Sequence, residues 1–186
     1  MADAPIRAIE LELLGDTATE FAKPIATGVL KGLMMNIIAD PVNYINAPVL
    51  AQEHGIGISQ VKGLGSSEFA NAISCRANWA DGNRVIIGSV FDGEHPRIVQ
   101  VGDYHLDVDP SGTLLVMKNS DVPGVIGQVG TLLGDYGVNI GEWRLGRVRR
   151  GGDALSFINL DNEPSEEAIT ALEKVSAVKK LKVIRL

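Results

Sequence analysis

The sequence predicts an α+β protein in two parts: a first part built on a mixed sheet, then a second whose elements run βαββαβ, the order of a ferredoxin-like plait. Three observations carry this expectation. Residues 6–14, IRAIELELL, alternate apolar and acidic with the period of a half-buried strand. Residues from 69 to 109 keep a strand-like pattern broken by tight turns. A single turn cluster, Asp109-Pro110-Ser111-Gly112, then separates this from a segment that alternates strand and helix periods, so the expected domains are 1–112 and 113–186.

In the first strand Ile9, Leu11 and Leu13 share one face and Glu10 and Glu12 the other. After Pro24, residues Ile25, Val29, Leu33, Ile37 and Ile38 recur at helical spacing, and Asp40-Pro41 closes the run. Asn46 before Ala47-Pro48 has the form of a helix cap with proline in the first turn, and this second helix stops at Gly55. Ile73, Cys75, Ala77 and Trp79 alternate, Asp81-Gly82-Asn83 supplies a turn, and Val85, Ile87 and Phe91 run back. A second hairpin, RIVQV with YHLDV, turns at Gly102-Asp103.

Beyond Gly112, TLLVMKN reads as a strand. Val125, Ile126, Val129, Leu132, Leu133 and Tyr136 mark a helix, VNIGEWRLGRV and ALSFINL are strands around the turn RRGGD, and VKKLKVIRL is a last strand. Between the last two strands Ser165 precedes Glu166 and Glu167, an N-cap and two acids suited to the positive end of a helix, with Ile169, Leu172 and Val175 inward.

Composition narrows the function. The chain has 186 residues, 45% hydrophobic and 22% charged, with net charge −6. Residues 1–112 hold 7 Lys and Arg against 14 Asp and Glu, and the remainder 10 against 9. Such a chain lacks the basic stripe that nucleic acid demands. The longest apolar run, GVLKGLMMNII, is too short for a membrane span, and the acids near the start do not suit a signal peptide. A cytoplasmic protein is expected, and one cysteine, Cys75, agrees with a reducing compartment.

The glycine-rich stretch NSDVPGVIGQVGTLLGDYGVNI falls at the first strand-to-helix junction of the plait. Its glycines are spaced GxxGxxG and not the GxGxxG of a dinucleotide site; Gly63-Leu64-Gly65 fails as well, with Glu68 where the third glycine belongs. No cofactor is expected in this chain. The helical glycines predict a small face that brings the helix close to its sheet. Asp121 precedes a helix N-terminus whose free N–H groups favour a carboxylate, while its own carboxylate suits an ammonium. That pair is complementary to an α-amino acid. Asp121 and Asn139 are equally describable as a helix cap and a turn residue.

This stretch resembles the signature of an ACT domain, a βαββαβ module that binds amino acids and pairs with another copy. Upstream, VNYINAPVLAQEHGI, ANWADGNRVIIGSVF and RIVQVGDYHLDV resemble the intervening domain of the long-form D-3-phosphoglycerate dehydrogenase family. The resemblance implies an α/β intervening domain followed by an ACT domain, and a regulatory piece of a larger enzyme, whose nucleotide and substrate domains need about 300 further residues. NAD would belong to that parent, and this chain alone would have no dehydrogenase activity. The resemblance further implies L-serine or another small amino acid bound between two ACT domains, by Asn119, Asp121 and Asn139 together with the backbone at Pro123, Gly124 and Val125. It implies a homo-oligomer through the ACT domain. A second, anion-binding site is suggested at Arg97 and His105. Two alternatives share the domain pair or the module: the β subunit of an L-serine dehydratase, and a free-standing amino-acid-binding or assembly module.

Of the remaining residues, Cys75 reads as a small core residue, and Arg147, Arg149 and Arg150 as a solvated hairpin turn. His54, His95 and His105 lie in separate segments without the spacing of metal ligands.

Overall fold

The computed structural model describes residues 4–63 and 71–186. Most of the Gly63 to Glu68 segment lies outside them. Two compact units divide the chain, Met1–Glu94 and His95–Leu186. Among the described residues no helix is long and apolar enough to cross a membrane.

In the first unit β1 (Ala8–Leu14) is followed by α1 (Asp16–Glu20), α2 (Ala22–Met34), α3 (Ala47–Glu53), β2 (Gly57–Lys62), β3 (Ala72–Trp79) and β4 (Gly82–Phe91). The strand order is β2-β1-β3-β4, with β2 parallel to β1 and the other pairs antiparallel, so the sheet is mixed as expected. The alternation in β1 puts Ile9 and Leu11 into a core with Ala26, Leu30 and Met34 of α2 and Ala47 and Ala51 of α3. Cys75 packs against the same core and burial raises its thiol pKa, which suits a small core residue.

Three local expectations are corrected here. The most buried stripe of α2 is Ala26-Leu30-Met34 at i, i+4 spacing; Ile25, Val29, Leu33 and Ile38 pack beside it as expected, but the helix ends at Met34 and Ile37 is exposed. Asn46 stands at the cap of α3 but makes no cap hydrogen bond. Its backbone is already helical, and its side chain turns back to accept from Asn43 N (2.8 Å) and donate to Pro41 O (3.0 Å). The β3–β4 turn is Ala80-Asp81, because Trp79 pairs with Gly82. Gly82 lies under the Trp79 indole, where a Cβ would stand 3.1 Å from Nε1.

The second unit contains β5 (His95–Val101), β6 (Tyr104–Val108), β7 (Thr113–Ser120), α4 (Val125–Asp135), β8 (Ile140–Arg147), β9 (Asp153–Leu160), α5 (Glu166–Glu173) and β10 (Val178–Arg185). The last six elements form the plait, with an antiparallel sheet in the order β10-β7-β9-β8. Ser165 caps α5 as expected, accepting from Ala168 N at 3.2 Å. On one face of the sheet Leu115, Met117 and Ile158 pack under Val125, Val129 and Leu133 of α4 and Leu172 of α5. On the other face Leu114, Val116, Leu155 and Phe157 are covered by Val101 and Val108 of the β5–β6 hairpin, with Ile98, Tyr104 and Leu106 beside them. Both central strands are therefore buried on both faces, and β7 and β9 read as near-continuous apolar runs for that reason.

The hairpin reaches the plait because Gly146 of β8 has no side chain. A Cβ there would stand 2.8 Å from the His105 carbonyl oxygen and 2.8 Å from Leu106 Cδ2. The helical glycines behave differently. A Cβ at Gly127, Gly130 or Gly134 meets nothing within 4 Å, since the buried face of α4 is Val125-Val129-Leu133. The expected small face against the sheet is corrected: these glycines line the outer side of the helix.

Two substitutions of the same chemistry should thus have opposite signs. Gly130→Ala is expected to stabilise the chain by about 0.5–1 kcal/mol through helix propensity. Gly146→Ala should destabilise it by about 1–3 kcal/mol through overpacking. Denaturant midpoints at unchanged slope check both, and a loss from Gly130→Ala would show that its outer face is occupied.

Candidate functional site

The end of β7 and the start of α4 are joined by Asp121-Val122-Pro123-Gly124. Gly124 takes φ 91 at the N-cap of α4, a left-handed conformation that glycine adopts without strain, and no side chain caps the helix. The first N–H groups of α4 thus receive no side-chain acceptor at the cap. Val122 N donates to Ser120 O (3.0 Å), which folds the loop tightly.

Asn119, the last buried residue of β7, lies on the helix-covered face and is 2% exposed. Its amide donates to Ser120 O (2.9 Å), and its Oδ1 accepts from the hydroxyl of fully buried Ser156 (3.3 Å). Asp121 is tied to the β8–β9 turn three times. Its backbone N–H donates to Gly152 O (2.8 Å), and its Oδ2 accepts from Gly151 N (3.1 Å) and from Arg147 Nη1 (3.2 Å). The Gly151 N–H and then the Arg147 guanidinium hold this carboxyl below the usual carboxylate range.

Asn139 stands elsewhere. It precedes β8, and the registers Ile140↔Leu160↔Thr113 and Arg147↔Ala154↔Asn119 place it at the opposite end of the sheet from Asn119 and Asp121. At about 3.3 Å per residue the two ends are on the order of 20 Å apart. There its amide donates to Asp161 Oδ2 and its backbone N–H to Asn162 Oδ1 (3.3 Å). Within one chain the structure gathers Asn119, Asp121, Pro123, Gly124 and Val125, and leaves Asn139 apart.

Arg97 and His105 are also separate in their surroundings. Arg97 lies 3.7 Å from Asp107 and 3.9 Å from Glu142, and Arg144 pairs with the same two carboxylates. The four charges balance, although Arg97 Nη1 is buried without a hydrogen-bond partner. His105 is exposed on β6.

Sequence reasoning missed two residues near this end of the sheet. Arg147 follows a strand pattern into a charged turn, and nothing in one sequence shows that the turn folds onto Asp121. Asp153 binds Lys118 (2.8 Å) and Lys179, bringing together β9, β7 and β10. These two ammonium groups, Lys118 first, draw its carboxyl pKa down to about 2. A groove of about 620 Å³ runs between α4 and α5, lined by Gly127, Thr131, Lys174 and Ser176 among others. It does not include the β7–α4 loop.

Comparison with known proteins gives two family matches. The family model of the D-3-phosphoglycerate dehydrogenase intervening domain matches residues 1–102, and that of the ACT domain matches residues 113–177. The chain is 32% identical over 184 residues to D-3-phosphoglycerate dehydrogenase of Methanocaldococcus jannaschii, covering 99% of this chain and 35% of that protein. It is 31% identical over 180 residues to the protein of that name from Mycobacterium tuberculosis (96% of this chain, 34% of that protein). With the Synechocystis protein of that name it shares 27% over 187 residues, 100% of this chain and 34% of that protein. The chain spans about a third of the length of these curated relatives.

The Asp153 triad predicts an acid-labile contribution. Its folded pKa of about 2 lies below the ordinary value near 3.9, so its stabilisation is present above pH 4 and is lost as pH falls towards 2. Asp153→Asn should lower the melting temperature at pH 6 and leave little difference from the wild type near pH 2. A difference independent of pH would contradict the ion-pair account.

Proposed function

The chain belongs to the family of the D-3-phosphoglycerate dehydrogenase intervening domain, here followed by an ACT domain, and we propose that it is the regulatory, ligand-binding and oligomerising region of such a dehydrogenase. On this reading the parent enzyme acts in the cytoplasm at the first, NAD-dependent step of L-serine synthesis. NAD would be held by residues outside this chain. The one GxxGxxG run present lies along α4, with its glycines on the outer side of the helix, and does not fit a dinucleotide.

The β7–α4 loop is the proposed amino-acid site. The observation that carries it is the juxtaposition of the Asp121 carboxylate with an uncapped helix N-terminus, above a buried Asn119–Ser156 pair. The ligand ammonium goes to Asp121 and its carboxylate to the backbone at Pro123 to Val125, with Asn139 serving its remaining polar groups and Asn119, buried beneath the loop, holding the site from below. L-Serine is the first candidate.

A second copy of the chain completes the site. β8 is an edge strand, and Leu145 and Val148 at its far end are exposed. Two β8 strands paired antiparallel about a two-fold axis bring the Asn139 end of one against the Asp121 end of the other. This accounts for the separation of Asn139 within one chain.

Ligand then stabilises fold and dimer together, by about 2.7 kcal/mol per site at one hundred times Kd. Millimolar L-serine should raise the melting temperature, Asp121→Ala should abolish the shift, and Asn139→Ala should weaken it. If serine, glycine and alanine all leave the melting curve and the calorimetric heat unchanged, the ligand site is wrong and the unit is an assembly element.

A further inference from the structure

The end of β8 and the turn that follows carry three arginines, Arg147, Arg149 and Arg150, and of these Arg147 alone has an ion pair among the described residues, with Asp121. Both side-chain bonds that Asp121 receives, from Arg147 Nη1 and from Gly151 N, end on the same oxygen, Oδ2. Oδ1 therefore keeps its acceptor capacity. Arg147 commits Nη1 to this bond, so most of a guanidinium's five donors remain. Its side chain is 47% exposed and that of Asp121 20%, so a small molecule can reach both. The pair thus presents an open acceptor and open donors, of opposite charge, side by side.

An α-amino acid carries an ammonium and a carboxylate on one carbon and has no net charge. The loop backbone alone is a weak partner for its carboxylate. Pro123 has no N–H, and a helix N-terminus offers about half a positive charge. A guanidinium offers a full charge and can bind a carboxylate with two parallel hydrogen bonds.

We propose that Arg147 is a specificity-determining residue of the amino-acid site, joining the loop backbone in holding the ligand carboxylate while Asp121 Oδ1 takes the ammonium. This rests on the β7–α4 loop being the ligand site. The zwitterion lies alongside the existing ion pair, its ammonium on the open Oδ1 and its carboxylate on the open guanidinium donors, so the site selects molecules that carry both groups. An amine without the carboxylate meets Arg147 as a like charge.

Calorimetric titration of the full chain with L-serine and with L-serinamide tests this, using the wild type, Arg147→Gln and Arg147→Lys. The wild type should prefer serine by at least tenfold, which corresponds to about 1.4 kcal/mol. Arg147→Gln should weaken serine by a similar factor while serinamide binds as well as before or better, erasing the preference. Arg147→Lys should keep part of it. A purely structural role would weaken both ligands together, and that result overturns the proposal, as does serine binding that Arg147→Gln leaves unchanged. If the wild type binds none of serine, glycine and alanine, the ligand reading of the loop falls, and this proposal with it.

Discussion

Burial of β7 and β9 on both faces is the constraint from which the rest of the second unit follows. A four-stranded sheet with helices on one side leaves the other side bare. Here Leu114, Val116, Leu155 and Phe157 fill that side, and the β5–β6 hairpin covers them. The cover fixes three further choices. Gly146 must lack a side chain where the hairpin crosses β8. Asn159 donates to Asp109 O and Ser111 O, at 3.2 and 3.3 Å, which anchors the connecting turn. Arg97 and Arg144 share Asp107 and Glu142 across the seam between hairpin and β8. Such half-exposed pairs add little to stability and mainly set alignment.

Hydrophobic period and turn chemistry made most elements legible. The period-2 alternation of β1, the Ser165 cap of α5 and the order of the plait are all local signals, and local signals survive folding. What was not legible depended on contacts distant in sequence. β2 (GISQVK) has too few apolar residues to announce a strand; it forms because β1 offers a parallel edge. The hairpin 95–108 reads as part of the first half, and the intervening-domain model runs through residue 102, yet its apolar side packs on the plait. The α4 glycines look like a close-packing face until the buried stripe is seen to lie on the opposite side.

The candidate site was partly legible for the same reason. Asp121 before a helix start is a local pattern, and the ACT resemblance singled it out. Its connection to Arg147 spans 26 residues and depends on the β8–β9 turn folding back through Gly151 and Gly152. The firm core beneath the loop matters to the chemistry. Asn119 and Ser156 are buried and bonded to one another, so the end of β7 emerges in a fixed direction. A loop held this way can orient a small ligand at low entropic cost.

The central claim, that the β7–α4 loop of one chain and the start of β8 of another form an amino-acid site, is tested most directly by NMR titration of the nitrogen-15-labelled chain with L-serine. The account predicts saturable shifts in the amides of Asn119 to Val125 except Pro123, in the Arg147 side-chain Nε–H, and at Asn139. Asn139 lies on the order of 20 Å from the others within one chain, so its response reports the second copy. Shifts confined to the α4–α5 groove around Thr131 and Lys174, or no shifts at all, would contradict it.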